Sequence, residues 1–183
     1  MIIKQANLHH DFLNGLLVGD KVTKSIKLYR DAKAFYLNAD NSLSEETVMY
    51  EVYTYCEDDK IGSLNYGLTV LHPQCINDEC NMTRGHFHSD LDSDEIYFGC
   101  SGNGLLLLMD EYGNCEAEKV EAGSVHYIDG HYAHRLINTG DSDLKVGAIW
   151  PVQSGHDYQR VEEHHFTVRV YLKNNQVVWE EEK

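Results

Sequence analysis

The stretch MTRGHFHSDLDSDEIYF, residues 82–98, decides how this chain is read. On an extended backbone side chains alternate between faces, so His86 and His88 point one way and Phe87 the other. Two neutral imidazoles on one face can grip a single metal ion. Residues 89–94 are long enough for a turn, after which Glu95-Ile96-Tyr97-Phe98 returns as a neighbouring strand and sets a carboxylate beside the pair. Tyr97 shares the face of Glu95. Further along, Tyr132-Ala133-His134-Arg135 can bring a third imidazole from a facing strand. A site of three histidines and one carboxylate with open positions suits iron, manganese, nickel or zinc, whereas magnesium and calcium prefer all-oxygen shells.

Outward from this stretch, the chain reads as short β-rich runs: Tyr50–Tyr55, Leu64–Leu71, Glu95–Cys100, Leu105–Asp110, Ser124–Ile128, Arg135–Asn138 and Lys145–Trp150. Turn formers such as Gly102-Asn103-Gly104, Gly113-Asn114 and Asp129-Gly130 separate them. The spacing predicts an all-β, antiparallel sandwich or barrel. Thr167–Lys173 and Gln176–Trp179 flank Asn174-Asn175, a pair suited to a tight hairpin. In the first fifty residues, Ser25–Tyr29 and Ala34–Leu37 are expected as strands. Ser42–Met49 is expected as a short helix capped by Ser42, with Glu45 at the capping-box position. Glu180–Lys183 reads as a solvated tail. With two prolines and no Gly/Ser-rich linker, the expectation is one domain over 1–183. Its core spans about 50–158, with an N-terminal extension over 1–49 and a C-terminal hairpin over about 166–180.

Composition narrows the partners. The 183 residues carry 15 Lys plus Arg against 30 Asp plus Glu, a formal charge of −15. That balance works against nucleic acid and anionic membrane surfaces, both of which need clustered cations. No run approaches the roughly 20 apolar residues of a membrane helix, and the N-terminus lacks an export signal, so a cytoplasmic location is expected. The five cysteines, Cys56, Cys75, Cys80, Cys100 and Cys115, contain no CxxC pair and suggest neither a zinc knuckle nor a disulfide framework. Among the eleven histidines, the pairs His9-His10 and His164-His165 would splay to opposite faces if extended and read as surface residues. His72 reads as structural. His126 and His131 compete with His134 for the fourth ligand position, and spacing favours His134.

The interval from Glu95 to Gly102, together with Gly123 ahead of His134 and Asn138, resembles the two motifs of the cupin superfamily. More narrowly, Tyr50-Glu51-Val52-Tyr53, Leu68-Thr69-Val70-Leu71, Met82–His88, Glu95-Ile96-Tyr97-Phe98, Tyr132-Ala133-His134-Arg135 and Gly155-His156-Asp157-Tyr158 resemble the cupin-type phosphoglucose isomerases. The likeness runs in register from about Tyr29 to Tyr158. It implies a cupin β-barrel and one divalent metal per subunit, iron first and manganese, nickel or zinc as alternatives, on His86, His88, Glu95 and His134. It also implies a homodimer, and reversible interconversion of glucose 6-phosphate and fructose 6-phosphate in glycolysis or gluconeogenesis. Three departures stand out. The gap from His88 to Glu95 is longer than the commonest cupin spacing, Asp129 and His131 stand where motif two often has Pro and Gly, and Trp150 stands where the family frequently has Tyr.

The residues also suit the chemistry. Moving a hydrogen between adjacent carbons needs a group that polarises the carbonyl, a base that reaches the carbon acid, and a shuttle between oxygens. Glu95 is the base candidate for an enediol route; if it stays ligated, a metal-assisted hydride shift competes. The hydroxyls of Thr69 and Thr83 and the unobstructed N–H of Gly85 can hold a phosphate, as the resemblance also implies. Tyr50, Tyr97, His156 and Tyr158 match family positions at the sugar end, where His156 and Tyr158 can assist proton transfer. Arg84 shares the face of the histidine pair, whereas Arg135 points away from His134 and is expected in an exterior ion pair. Alternative readings keep the cup but turn over mannose 6-phosphate or another sugar phosphate, or make it a non-catalytic sugar-binding or regulatory protein.

Overall fold

Each β-rich run expected between residues 50 and 150 forms a strand in the computed structural model, which describes residues 1–11 and 14–182. In chain order the strands are β1 (His9–Asp11), β2 (Leu16–Val18), β3 (Val22–Leu28), β4 (Val48–Cys56), β5 (Leu64–Leu71), β6 (Cys75–Ile76), β7 (Glu79–Cys80) and β8 (Glu95–Ser101). They continue with β9 (Asn103–Met109), β10 (Cys115–Glu121), β11 (Val125–Ile128), β12 (Ala133–Asn138), β13 (Leu144–Pro151), β14 (Val168–Lys173) and β15 (Gln176–Glu181). Two short helices, α1 (Tyr29–Ala32) and α2 (Tyr158–Glu163), complete the set with single 3-10 turns at Lys33–Phe35 and Val152–Ser154.

All pairings are antiparallel. The largest sheet has the order β11-β8-β13-β5-β4-β3, a second is β10-β9-β12, and the C-terminal hairpin extends a small sheet β15-β14-β7-β6. Residues 82–87 run beside β12 without forming a regular strand, held by bridges Met82↔Ile137 and His86↔His134. The two larger sheets share one buried cluster that includes Met49, Leu71, Met82, Phe87, Leu106, Leu108, Leu136 and Val146. This is the all-β barrel expected of a cupin, with one end left open as a cup.

In the N-terminal region the expected strand Ser25–Tyr29 is present as the second half of β3, ending at Leu28, but two other expectations fail. Ala34–Leu37 is not a strand: its first residues form the 3-10 turn after α1, and Tyr36 turns inward to donate its hydroxyl to Asn81 Oδ1 at 2.8 Å. Ser42–Met49 is not a helix. Asp40 Oδ1 accepts from both the backbone N–H and the hydroxyl of Ser42, at 2.8 and 2.6 Å, so Ser42 serves a turn instead of a cap. Glu45 pairs with Lys33 at 2.8 Å, and the buried Met49 and Tyr50 already belong to β4. The expected tail is also shorter than predicted, since Glu180 and Glu181 pair with Arg169 and Val168 in the hairpin; Lys183 lies outside the described residues. Asn174 and Asn175 take the left-handed conformation expected for that hairpin, at φ 53° and 60°. A second such turn at Asn77-Asp78, not anticipated, sets Cys75 opposite Cys80 with both thiols free.

Candidate active site

The cup is lined by period-two alternation. Tyr50, Val52 and Thr54 of β4, Gly67 and Thr69 of β5, Glu95 and Tyr97 of β8, His134 and Leu136 of β12, and Ala148 and Trp150 of β13 all face one cavity of about 400 Å³. That volume falls within the usual range for small-ligand sites. At its base, ligand atoms of His86, His88, Glu95 and His134 lie within 4.8 Å of one another. Nε2 of His88 and Nε2 of His134 each approach Glu95 Oε2 at 3.2 Å.

The surroundings fix which nitrogen faces inward. His88 Nδ1 meets the Ser93 carbonyl at 2.5 Å and His134 Nδ1 meets the Tyr132 carbonyl at 3.3 Å. A carbonyl can only accept, so Nδ1 carries the hydrogen and each Nε2 lone pair points at the carboxylate oxygen. Lone pairs facing one another at this separation repel unless a cation or a shared proton lies among them. Nε2 of His86 and of His134 are buried without a hydrogen-bond partner, which completes a donor set that fits a divalent ion. Burial opposes both charged forms, but the imidazoles of His134 and His88 against the carboxylate hold Glu95 below its ordinary range. The same Glu95 contact lifts the His88 imidazole above its ordinary value despite burial. Burial, with the crowd of imidazoles around it adding to the effect, pushes His86 well down, so it stays neutral and able to ligate.

The long gap between His88 and Glu95 has a purpose in this geometry. Asp90 organises the turn, accepting from Ser93 N–H through its carbonyl at 3.1 Å and from the Ser93 hydroxyl through Oδ2 at 2.8 Å. The turn thereby delivers the Ser93 carbonyl to His88. Neither competing histidine joins the group. His126 is closed on both nitrogens, by Glu118 at 2.5 Å and Ser124 Oγ at 2.8 Å, and His131 is exposed beside Asp129.

The other expected site residues gather around the centre. The N–H of Leu136 donates to Thr83 Oγ1 at 3.0 Å, which orients that hydroxyl and leaves its own hydrogen to donate into the cavity. Gly85 has φ +76°, and a Cβ there would stand 2.8 Å from the Phe166 ring, so backbone conformation and space both require glycine. Paired backbone bonds between Phe87 and Asp157, 2.8 and 3.4 Å, pin the loop carrying His156 and Tyr158 against the histidine strand. The His156 ring lies 4.3 Å from that of His86 and stacks parallel to Tyr158 at 5.7 Å. Burial pushes the His156 imidazole down and the Tyr158 phenol up; it carries Tyr97 well above its usual value and Tyr50 up to about 12. These phenols are therefore neutral donors at neutral pH, and His156 is a neutral imidazole. Arg84 lies over the Tyr158 ring at 4.3 Å and pairs with Glu162.

Two placements differ from expectation. Arg135 makes no exterior ion pair: it is buried, its guanidinium 4.0 Å above the Phe166 ring, because the far side of β12 is covered by β14 and the segment after α2. Sequence reasoning also passes over Lys27, which lines the cup and sits opposite Tyr50 in the β3–β4 register. Its signal was the alternation of the run Ser25–Tyr29, which puts Ser25 and Lys27 on one face of an expected strand. Trp150 fills the space above Gly67, where a Cβ would come within 2.8 Å of the indole.

Residues 20–183 match the family model described as glucose-6-phosphate isomerase. The chain is 36% identical over 172 residues to a glucose-6-phosphate isomerase of Thermococcus litoralis, covering 92% of this chain and 90% of that protein. It is 36% identical over 171 residues to one of Pyrococcus furiosus, covering 91% and 89%. Among solved structures, oxalate decarboxylase from Bacillus subtilis aligns over 58% of this chain and 26% of its own, with a TM-score of 0.46 and 20% identity.

Proposed function

From the premise that this chain belongs to the glucose-6-phosphate isomerase family, and so to the aldose–ketose isomerases, we propose that it works as a metal-dependent enzyme through the cup described above. The observation that carries this reading is the convergence of His86, His88, Glu95 and His134 within 4.8 Å, in the same cavity as Thr69, Thr83 and Gly85. A divalent ion held by those four residues supplies Lewis-acid polarisation of the sugar carbonyl and its neighbouring hydroxyl.

The chain's own groups do the rest. Thr69 and Thr83 hydroxyls and the Gly85 N–H hold the phosphate, with Arg84 and Lys27 at the rim offsetting the chain's negative field. Anchoring the phosphate sets the first two carbons of the sugar at the base of the cup. Glu95 commits Oε2 to His88 and His134, which leaves Oε1 to take the proton from one carbon and return it to the next. Neutral His156 accepts a hydroxyl proton at the sugar end and gives it back, and Tyr158, stacked on it, keeps the ring in place. Tyr50 and Tyr97 donate to sugar oxygens. We also propose that the chain works as a homodimer, a reading favoured by exposed Val177 and Trp179 on the unpaired edge strand β15.

A coupled assay on the metal-loaded protein, offered glucose 6-phosphate and mannose 6-phosphate in parallel, tests the activity. Turnover of the glucose ester that disappears on chelation and in Glu95→Gln is expected, and undiminished turnover after either treatment overturns the metal-dependent reading. In deuterated water, label at C1 or C2 is the expected outcome; full conversion without label would replace proton transfer by a hydride shift.

A further inference from the structure

Strand β12 is walled on both faces. His134 and Leu136 look into the cup, while Arg135 and Ile137 look into a second cavity of about 370 Å³ behind it. Arg135 is only 9% exposed. Its Nη2 donates to the Arg84 carbonyl at 2.7 Å, its Nη1 meets only the weak acceptor Met82 Sδ at 2.9 Å, and its Nε is buried with no partner. A guanidinium offers five N–H donors, so most of its capacity is unspent. The two acids lining this cavity are committed elsewhere, Glu79 to Arg169 at 2.7 Å and Glu162 to Arg84. Burial pushes the Arg135 guanidinium down to about 10, still charged at neutral pH. Among the described residues no carboxylate pairs with it, and a buried cation without a counter-charge is costly.

We propose that this rear cavity is a second ligand site that takes a small inorganic oxyanion, phosphate itself, with Arg135 as its anchor. Arg84 is answered by Glu162 and Arg169 by Glu79 and Glu182, so among the described residues Arg135 is the cation of this cavity that no carboxylate contacts, in a chain whose formal charge is −15. The planar fork of Arg135 matches the geometry of a phosphate edge. Met82, Phe166 and Val170 give the remaining wall an apolar character that strengthens such a contact. Occupancy of this site communicates with the cup through Arg84, which lines both cavities and whose carbonyl is held by Arg135, between Thr83 and Gly85 of the front phosphate cradle.

Equilibrium dialysis of the metal-loaded protein against labelled inorganic phosphate, with fructose 6-phosphate at saturation to fill the cup, tests this. One phosphate per chain is expected to persist under the sugar ester, to disappear in Arg135→Met, and to bind about tenfold more weakly in Arg135→Lys, whose point charge lacks the fork. Ala34→Trp, at an exposed position on the cavity's rim, plugs the entrance with Arg135 intact and is expected to abolish binding; this arm decides the matter if Arg135→Met fails to fold. No phosphate beyond what the sugar ester displaces, or unchanged binding in the two blocking variants, overturns the proposal. Failure of the sugar ester to displace any phosphate would instead count against the front-site reading, while the Arg135 and Ala34 arms still report on the rear cavity.

Discussion

His88, His134 and His126 are almost equally buried, at 2%, 1% and 4% exposure, yet they are prepared for different work. His126 spends Nδ1 on the Glu118 carboxylate and Nε2 on Ser124, so both nitrogens are closed. His88 and His134 spend Nδ1 on backbone carbonyls and keep Nε2 for a shared carboxylate oxygen. Burial therefore does not separate a ligand from a structural imidazole. What separates them is whether one nitrogen is fixed by the backbone while the other is left aimed at like-minded donors.

The contrast can be broken most decisively at the centre. His134→Ala is expected to reduce turnover by about three orders of magnitude and to halt tight metal uptake, measured by steady-state kinetics with metal analysis; His126→Asn should stay within about twofold of the parent. Next in size, chelation should lower the midpoint of thermal unfolding by about 10 °C, since an ion present at roughly a thousand times its dissociation constant stabilises the fold by about 4 kcal/mol. A calorimetric scan with and without chelator reads this directly. Asp90→Ala sharpens the comparison by loosening only the turn that presents the Ser93 carbonyl to His88, and should weaken metal affinity about tenfold without touching a ligand. The smallest effect is expected for His126→Asn on stability, about 1 kcal/mol in a denaturant titration, because Glu118 is exposed and regains solvent as its partner leaves.

Much of this centre was legible because it is written in alternation. The spacing of His86 and His88 and the return at Glu95 give a shared face from strand geometry alone, and that face is the one observed. The barrel was legible for the same reason: Leu64–Leu71 was expected and forms over the same residues. The region before β4 was not, since Ser42 followed by Glu45 has the local chemistry of a helix cap and only the long-range pairing of Glu45 with Lys33, and the burial of Met49, diverts it into a turn. Arg135 was misjudged because alternation tells which residues share a face but not whether a second layer covers the opposite one. That layer comes from Phe166 and β14, some thirty residues later in the chain.

A strand with incompatible chemistry on its two sides cannot be edited by single-residue insertion. Adding or deleting one position within Ala133–Asn138 would turn the guanidinium into the cup and the imidazole out of it, disabling both cavities in one event. Length variation in related chains, and loop grafts in the laboratory, should therefore be confined to the turns at 129–132 and 139–143 that bracket this strand.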